Sequence, residues 1–253
     1  PSRKVKVKNA FENKTGNIFD INLSLFNSLQ AANIKSYLVL TSTRNKAVPT
    51  RLHPIVNDFN YLIVKAIINN KTYFLDATDK QLPFGLVQKK SLNGDGRVMD
   101  FKKGSYWETI KLSEKTYKTT KAQLTLDDEG ILNGDLMISS NGYFATEDRN
   151  ELKNKNSETY IEDFESDHTN LEVDSFEYKN LDLKNEPLHQ IYSIIFEELE
   201  EKNKIRINPF LINKFTKNPF KLKTRDYPVD FAFPRTNTYI LNLKIPKEYK
   251  IKA

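Results

Sequence analysis

The segment Asp20-Ile21-Asn22-Leu23-Ser24-Leu25-Phe26-Asn27-Ser28-Leu29-Gln30-Ala31-Ala32 decides how the first part of the chain is read. Its apolar positions Ile21, Leu25, Leu29 and Ala32 recur at helical spacing, and Phe26 widens the stripe. Asn17 is placed to cap this helix. Asp20, three residues on, has its charge near the positive end of the helix dipole. Asn33 supplies a stop. The spacing predicts a buried, central helix.

Working outward, the neighbouring segments read as strands. Ser36 to Ser42 is rich in β-formers. A polar loop from Asn45 to Asp58, containing Pro49 and Pro54, leads into the apolar run Phe59 to Ile68. Asn69-Asn70 is then a two-residue turn into Thr72 to Leu75, so Phe59 to Asp76 is predicted to be a β-hairpin. Pro83-Phe84-Gly85 and Asn93-Gly94-Asp95-Gly96 read as loops.

From about Trp107 the character changes. Ala122 to Leu126 and Ile131 to Ser140 alternate around Asp127-Asp128-Glu129-Gly130, a second hairpin, and amphipathic helical stretches follow near Tyr143 to Leu152 and Ser157 to Phe164. Val173 to Tyr178, Leu188 to Leu199, Ile205 to Leu211 and Thr238 to Ile245 read as strands, although Leu188 to Leu199 also fits a helical period. Pro209, Pro219, Pro228 and Pro234 fit strand ends and edges. The predicted class is α+β. Residues 1–110 form a helix packed on an antiparallel sheet, and residues 111–253 a mainly β, sandwich-like domain with one or two helices, read as truncated.

Composition limits the chemistry. The chain has 253 residues, 38% hydrophobic and 11% aromatic, enough to bury a core and too apolar for disorder. Its 39 basic and 33 acidic residues leave a formal charge of +6, interspersed rather than gathered into a basic arm. Aromatic and basic residues interleave from Phe210 to Tyr227, which a basic β-domain edge explains better than nucleic acid does. The chain contains no Cys, which excludes disulfides, thiolate metal sites and a cysteine nucleophile. His53, His168 and His189 lie far apart without ligand spacing, and the acidic runs at Asp127-Asp128-Glu129 and Glu197 to Glu201 lack the alternation of a calcium loop. No metal or cofactor is expected. No apolar run approaches the roughly 18 residues of a membrane span. The opening Pro-Ser-Arg-Lys has no signal-peptide pattern and reads as a fragment excised from a longer protein.

The run Gly16-Asn17-Ile18-Phe19-Asp20-Ile21-Asn22-Leu23, followed by Ser28-Leu29-Gln30-Ala31-Ala32-Asn33-Ile34, resembles the nucleophile helix of the transglutaminase-like superfamily. Phe59-Asn60-Tyr61-Leu62-Ile63-Val64 and Tyr73-Phe74-Leu75-Asp76-Ala77-Thr78-Asp79 resemble its later strands. Ser42-Thr43-Arg44, the run from Asp79 to Gly85, Asn218-Pro219-Phe220 and Tyr227-Pro228-Val229-Asp230 bring the likeness closest to bacterial members, mostly from Bacteroidetes, with flanking β-rich domains of unknown function. The resemblance implies a papain/transglutaminase-like core. In enzymatic members a Cys at a helix N-terminus, a His and an Asp carry acyl transfer or amide hydrolysis through a thioester.

Carried onto this chain, the nucleophile position is Ile18, the general-base position Tyr61 and the orienting acid Asp76. Ile18 has neither a lone pair nor an ionisable proton. An ordinary tyrosine pKa, near about 10, makes a poor base at neutral pH. The reading is therefore a catalytically inactive module for binding or scaffolding, its partner a protein, peptide or glycan, and its location the periplasm or cell envelope, where such relatives are commonly exported. Asp76 is expected to serve structure, for instance by accepting from the Tyr61 hydroxyl or from backbone amides, with ligand binding the other reading. If a cleft remains, Arg44, Asn60, Tyr61 and Asp76 would line it with an aromatic wall and polar groups. Asn17 and Asp20 read as helix caps first and ligand contacts second. Arg44 and Asp79 either pair or line the cleft. The alternative function is a hydrolase or acyltransferase with a non-cysteine nucleophile, Ser24 or Thr43 working with Asp76.

Overall fold

A computed structural model describes residues 7–251 apart from 47, 53–54, 169, 198–199, 202–203, 214–217, 219, 221–222 and 225–228, so His53, Pro219, Tyr227 and Pro228 lie outside the described residues. The chain divides into two compact units: Pro1–Lys115 with Phe231–Pro234, and Thr116–Asp230 with Arg235–Ala253.

In the first unit α1 (Val7–Asn13) and α2 (Ile18–Ala31) precede β1 (Lys35–Thr41), β2 (Tyr61–Ile68), β3 (Lys71–Leu75), β4 (Asp95–Met99) and β5 (Tyr106–Thr109). The strands form one antiparallel sheet in the order β3-β2-β1-β4-β5. Reciprocal capping starts α2: the Asn17 side chain accepts from the Asp20 amide, and the Asp20 carboxylate accepts from the Asn17 amide. Asn33 ends the helix in the left-handed region, at φ 58°. There the Asn33 and Ile34 amides close back onto the carbonyls of Gln30 and Leu29. Leu25, Phe26, Leu29 and Ile34 pack on Val64, Ala66 and Leu75. Ala32 was expected on that buried stripe; it is exposed, because the helix has already ended at Ala31.

Asn69 and Asn70 take φ values of 50° and 61°, as a tight two-residue hairpin requires, and Ile68 pairs with Lys71. The loop expected over residues 93–96 is half strand. Asp95 and Gly96 belong to β4, and a Cβ on Gly96 would sit 2.4 Å from Val39 Cγ1. Here glycine permits close approach of β4 to β1 rather than making a turn.

In the second unit β6 (Thr116–Leu126) and β7 (Ile131–Asn141) lead to α3 (Tyr143–Asn154) and α4 (Ser157–Ser166), then β8 (Leu171–Lys179) and β9 (Leu188–Glu197). Two short pieces, β10 (Glu200–Glu201) and β11 (Lys204–Ile205), pair with each other before β12 (Arg235–Lys244). The main sheet runs β12-β6-β7-β9-β8, with β12 parallel to β6 and the other pairs antiparallel. Residues 188–197 are strand, since Leu188, Gln190, Tyr192 and Ile194 alternate inward.

Two expectations fail here. The unit is no sandwich among the described residues. Its second layer is helical, with Ala145, Leu152 and Tyr160 in one core with Ala122, Leu124, Leu136, Tyr192 and Ile194. Nor is Ile205 to Leu211 a strand: only Lys204–Ile205 pairs, and a 3₁₀ turn follows at Leu211–Asn213.

Arg149, on the inner face of α3, is completely buried. Its guanidinium donates to the carbonyls of Asn180 (3.1 Å), Leu181 (3.1 Å), Leu183 (2.9 Å), Lys184 (3.4 Å) and Glu186 (2.7 Å). One side chain thereby organises the connection between β8 and β9. Burial pulls its pKa below the ordinary arginine value. Beside it Asp148 accepts from Lys118 and from Gln190, whose amide oxygen accepts from both Tyr160 and Tyr192.

Candidate functional site

The site expected from the sequence falls in the first unit, where the N-terminal turns of α2 meet the head of β2 and the chain leaving β3. Asn22 lies one turn after Ile18, on the same helix face. Its Nδ2 donates to the Leu62 carbonyl at 2.7 Å and to Asp76 Oδ1 at 3.0 Å, while its Oδ1 accepts from the Ala77 amide at 2.9 Å. The amide thus fixes the helix to both strands of the hairpin.

Asp76 follows β3 directly. Its Oδ2 accepts from the Tyr61 hydroxyl at 2.9 Å and from the Gln88 amide at 3.2 Å. Its Oδ1 accepts from the Thr78 amide at 3.0 Å and the Thr78 hydroxyl at 2.7 Å, besides Asn22. Tyr61 Oη also lies 3.0 Å from Thr78 Oγ1. Tyr61 and Asn22 are wholly buried and Asp76 is nearly so. Charge-assisted hydrogen bonds of this kind are the strong ones, and so many donors hold a carboxylate in one place.

Burial, with the Asp76 charge second, pushes the Tyr61 pKa well above its ordinary value. The phenol keeps its proton and donates it to Asp76; it is no base at neutral pH. The Lys90 ammonium lies 5.2 Å from the Tyr61 ring centre.

The other candidates are engaged elsewhere. Ile18 is the half-buried first residue of α2, and Asn17 and Asp20 bond each other. Asn60 holds Thr43 through its amide (2.8 Å) and hydroxyl (2.7 Å). Arg44 donates to the Leu92 carbonyl at 3.0 Å, while Asp79 accepts from the Gln81 amide and the Gln88 side chain. The structure therefore brings Tyr61 and Asp76 together and leaves Arg44, Asn60 and Asp79 supporting loops.

Two expectations are corrected. Tyr61 cannot form an aromatic wall for a ligand, because none of it is exposed. Neither alternative nucleophile reaches Asp76: Ser24 Oγ donates to the Asp20 and Val7 carbonyls, and Thr43 Oγ1 to Asn45. Sequence reasoning missed Asn22, Thr78 and Gln88. Asn22 was detectable, as an uncharged amide at the 18-22-25-29 spacing of an apolar face. A buried amide there requires specific partners.

Comparison with known proteins adds little chemistry. A family model described as a domain of unknown function with a solved structure, DUF3858, matches residues 203–253. Among solved structures the chain is similar to a Parabacteroides distasonis protein provisionally described as a protease, at 11% identity and a TM-score of 0.34, over 82% of this chain and 42% of that one. The chain thus spans less than half of that protein's length. No curated protein matches it. Among the described residues no helix is long and apolar enough to cross a membrane, and no group of three potential metal ligands gathers.

Proposed function

We propose that the chain carries a transglutaminase-like frame without the reaction, and that it serves as a binding or scaffolding module in the bacterial envelope. One observation supports this reading above the rest. The carboxylate at the orienting-acid position is saturated by Tyr61, Asn22, Thr78 and the Gln88 amide, inside a buried knot. In a working triad that carboxylate faces an imidazole that must gain and lose a proton. Here it faces a phenol that burial keeps neutral. Ile18, one turn before Asn22, offers a hydrocarbon where a thiolate would attack. Loss of one such member costs about 10³–10⁶ in rate, and here two are replaced.

A partner must then be met by groups outside this network. The resemblance to exported relatives supports the envelope location. The purified chain should show no turnover of generic amide and ester substrates above buffer. Turnover lost on Asp76→Asn, in a variant that keeps the wild-type circular dichroism spectrum, would establish the hydrolase or acyltransferase alternative instead.

A further inference from the structure

In the first unit a cavity of about 300 Å³ opens between the loop after β1 and the start of β4. Val48 and Pro49 give it an apolar side, Arg51, Asn93 and Asp95 a polar rim, and Trp107 of the edge strand β5 its aromatic surface. It shares no lining residue with the Asn22–Tyr61–Asp76 network. Gly94, also in the lining, takes φ +84° and has open space where a Cβ would project.

Two features set this cavity apart from an ordinary surface dimple. Trp107 is the only tryptophan of the chain, and its indole N–H is buried without a partner among the described residues. Buried tryptophans usually place that donor on an acceptor. The ring itself is fixed, with the Arg97 guanidinium 5.4 Å and the Phe59 ring 5.9 Å from its centre. The rim is also preorganised: Asp95 forms an ion pair with Arg51, and its Oδ1 accepts from Thr109 at 2.7 Å.

We propose that this cavity binds a saccharide ring. A pyranose presents apolar C–H groups beside a rim of hydroxyls that both donate and accept. An aromatic surface flanked by a guanidinium, a carboxylate and an amide answers each of these, with few precisely placed polar groups in an otherwise apolar recess. An extended peptide would instead demand a run of backbone partners and a series of side-chain pockets. At about 300 Å³ the cavity suits one ring rather than a run of residues. The inference names a ligand class for the binding module proposed above but does not depend on the loss of catalysis.

Because Trp107 is the one tryptophan, fluorescence excited at the red edge of its absorption, where the tyrosines do not absorb, reports on this cavity. The folded chain would be titrated with N-acetylglucosamine, its β-1,4-linked dimer, cellobiose and, as a contrast, trialanine. A saturable change with at least one saccharide, weakened about tenfold or more by Arg51→Ala, is expected. The Arg51 side chain is 66% exposed, so this variant leaves the core intact. Saturation by trialanine alone would overturn the assignment in favour of a peptide site. Absence of saturation by every saccharide to tens of millimolar, or an undiminished response in Arg51→Ala, would also overturn it. Because none of these readouts uses turnover, failure here is distinguishable from failure of the catalytic reading.

Discussion

Replacing Arg149 by alanine is expected to destabilise the second unit by about 3–5 kcal/mol. The side chain is fully buried, and its loss strands five backbone carbonyls of the β8–β9 connection at once. Each buried acceptor left unpaired costs about 1–3 kcal/mol, and water entering the gap recovers part of this. Arg149→Lys keeps the charge but lacks the planar fork, so it should fall between alanine and wild type. Urea unfolding followed by circular dichroism measures both. A loss below about 1 kcal/mol for the alanine variant would show that the 180–187 connection holds its shape without the clamp.

Asp76→Ala is expected to cost about 3 kcal/mol in the first unit, through the orphaned Gln88 and Thr78 amides and a Tyr61 hydroxyl left with Thr78 Oγ1 as its remaining partner. Asn22 retains its bonds to Leu62 and Ala77, which limits the damage. Tyr61→Phe alone should cost about 1–2 kcal/mol, and its effect should shrink in the Asp76→Ala background because the two groups share one bond. Strict additivity in that double-mutant cycle would contradict the Tyr61–Asp76 contact.

The sequence carried α2, the Asn69-Asn70 hairpin and the β6–β7 hairpin because each is a local pattern: a 3.6-residue stripe with caps, or alternation around a turn. The Tyr61–Asp76 pair was also legible, since hairpin pairing brings the head of one strand near the tail of the next. Strands β4 and β5 were not: both are short, and β4 begins within Asn93-Gly94-Asp95-Gly96, whose glycines usually mark a turn. Both helices of the second unit were legible from their amphipathic period, but not that they form its second layer, because the inner face of α3 carries charged residues. Asp148 and Arg149 are buried there by partners more than 25 residues away in sequence. Such pairings follow from tertiary packing, which no period records. The same holds for Thr78 and Gln88, whose role depends on where Asp76 points.

Tyr61 decides whether the core is a structural knot or a latent reactive centre. Its pKa is raised by burial and by Asp76; that of Tyr160 is pushed up to about 12 by burial, and burial raises Tyr192 as well. For groups raised in the native state, the stabilisation is complete below the unfolded value near about 10 and declines as pH climbs through it. Alkaline unfolding should therefore set in above about pH 10 rather than near neutrality. The most direct test is a carbon NMR titration of the tyrosine ζ positions, with Tyr61 assigned through Tyr61→Phe. A knot requires the Tyr61 signal to stay that of the neutral phenol for as long as the protein remains folded. A Tyr61 signal that moves at or below pH 10 in the folded chain would reveal an accessible phenolate beside Asp76 and contradict the loss of the reactive centre.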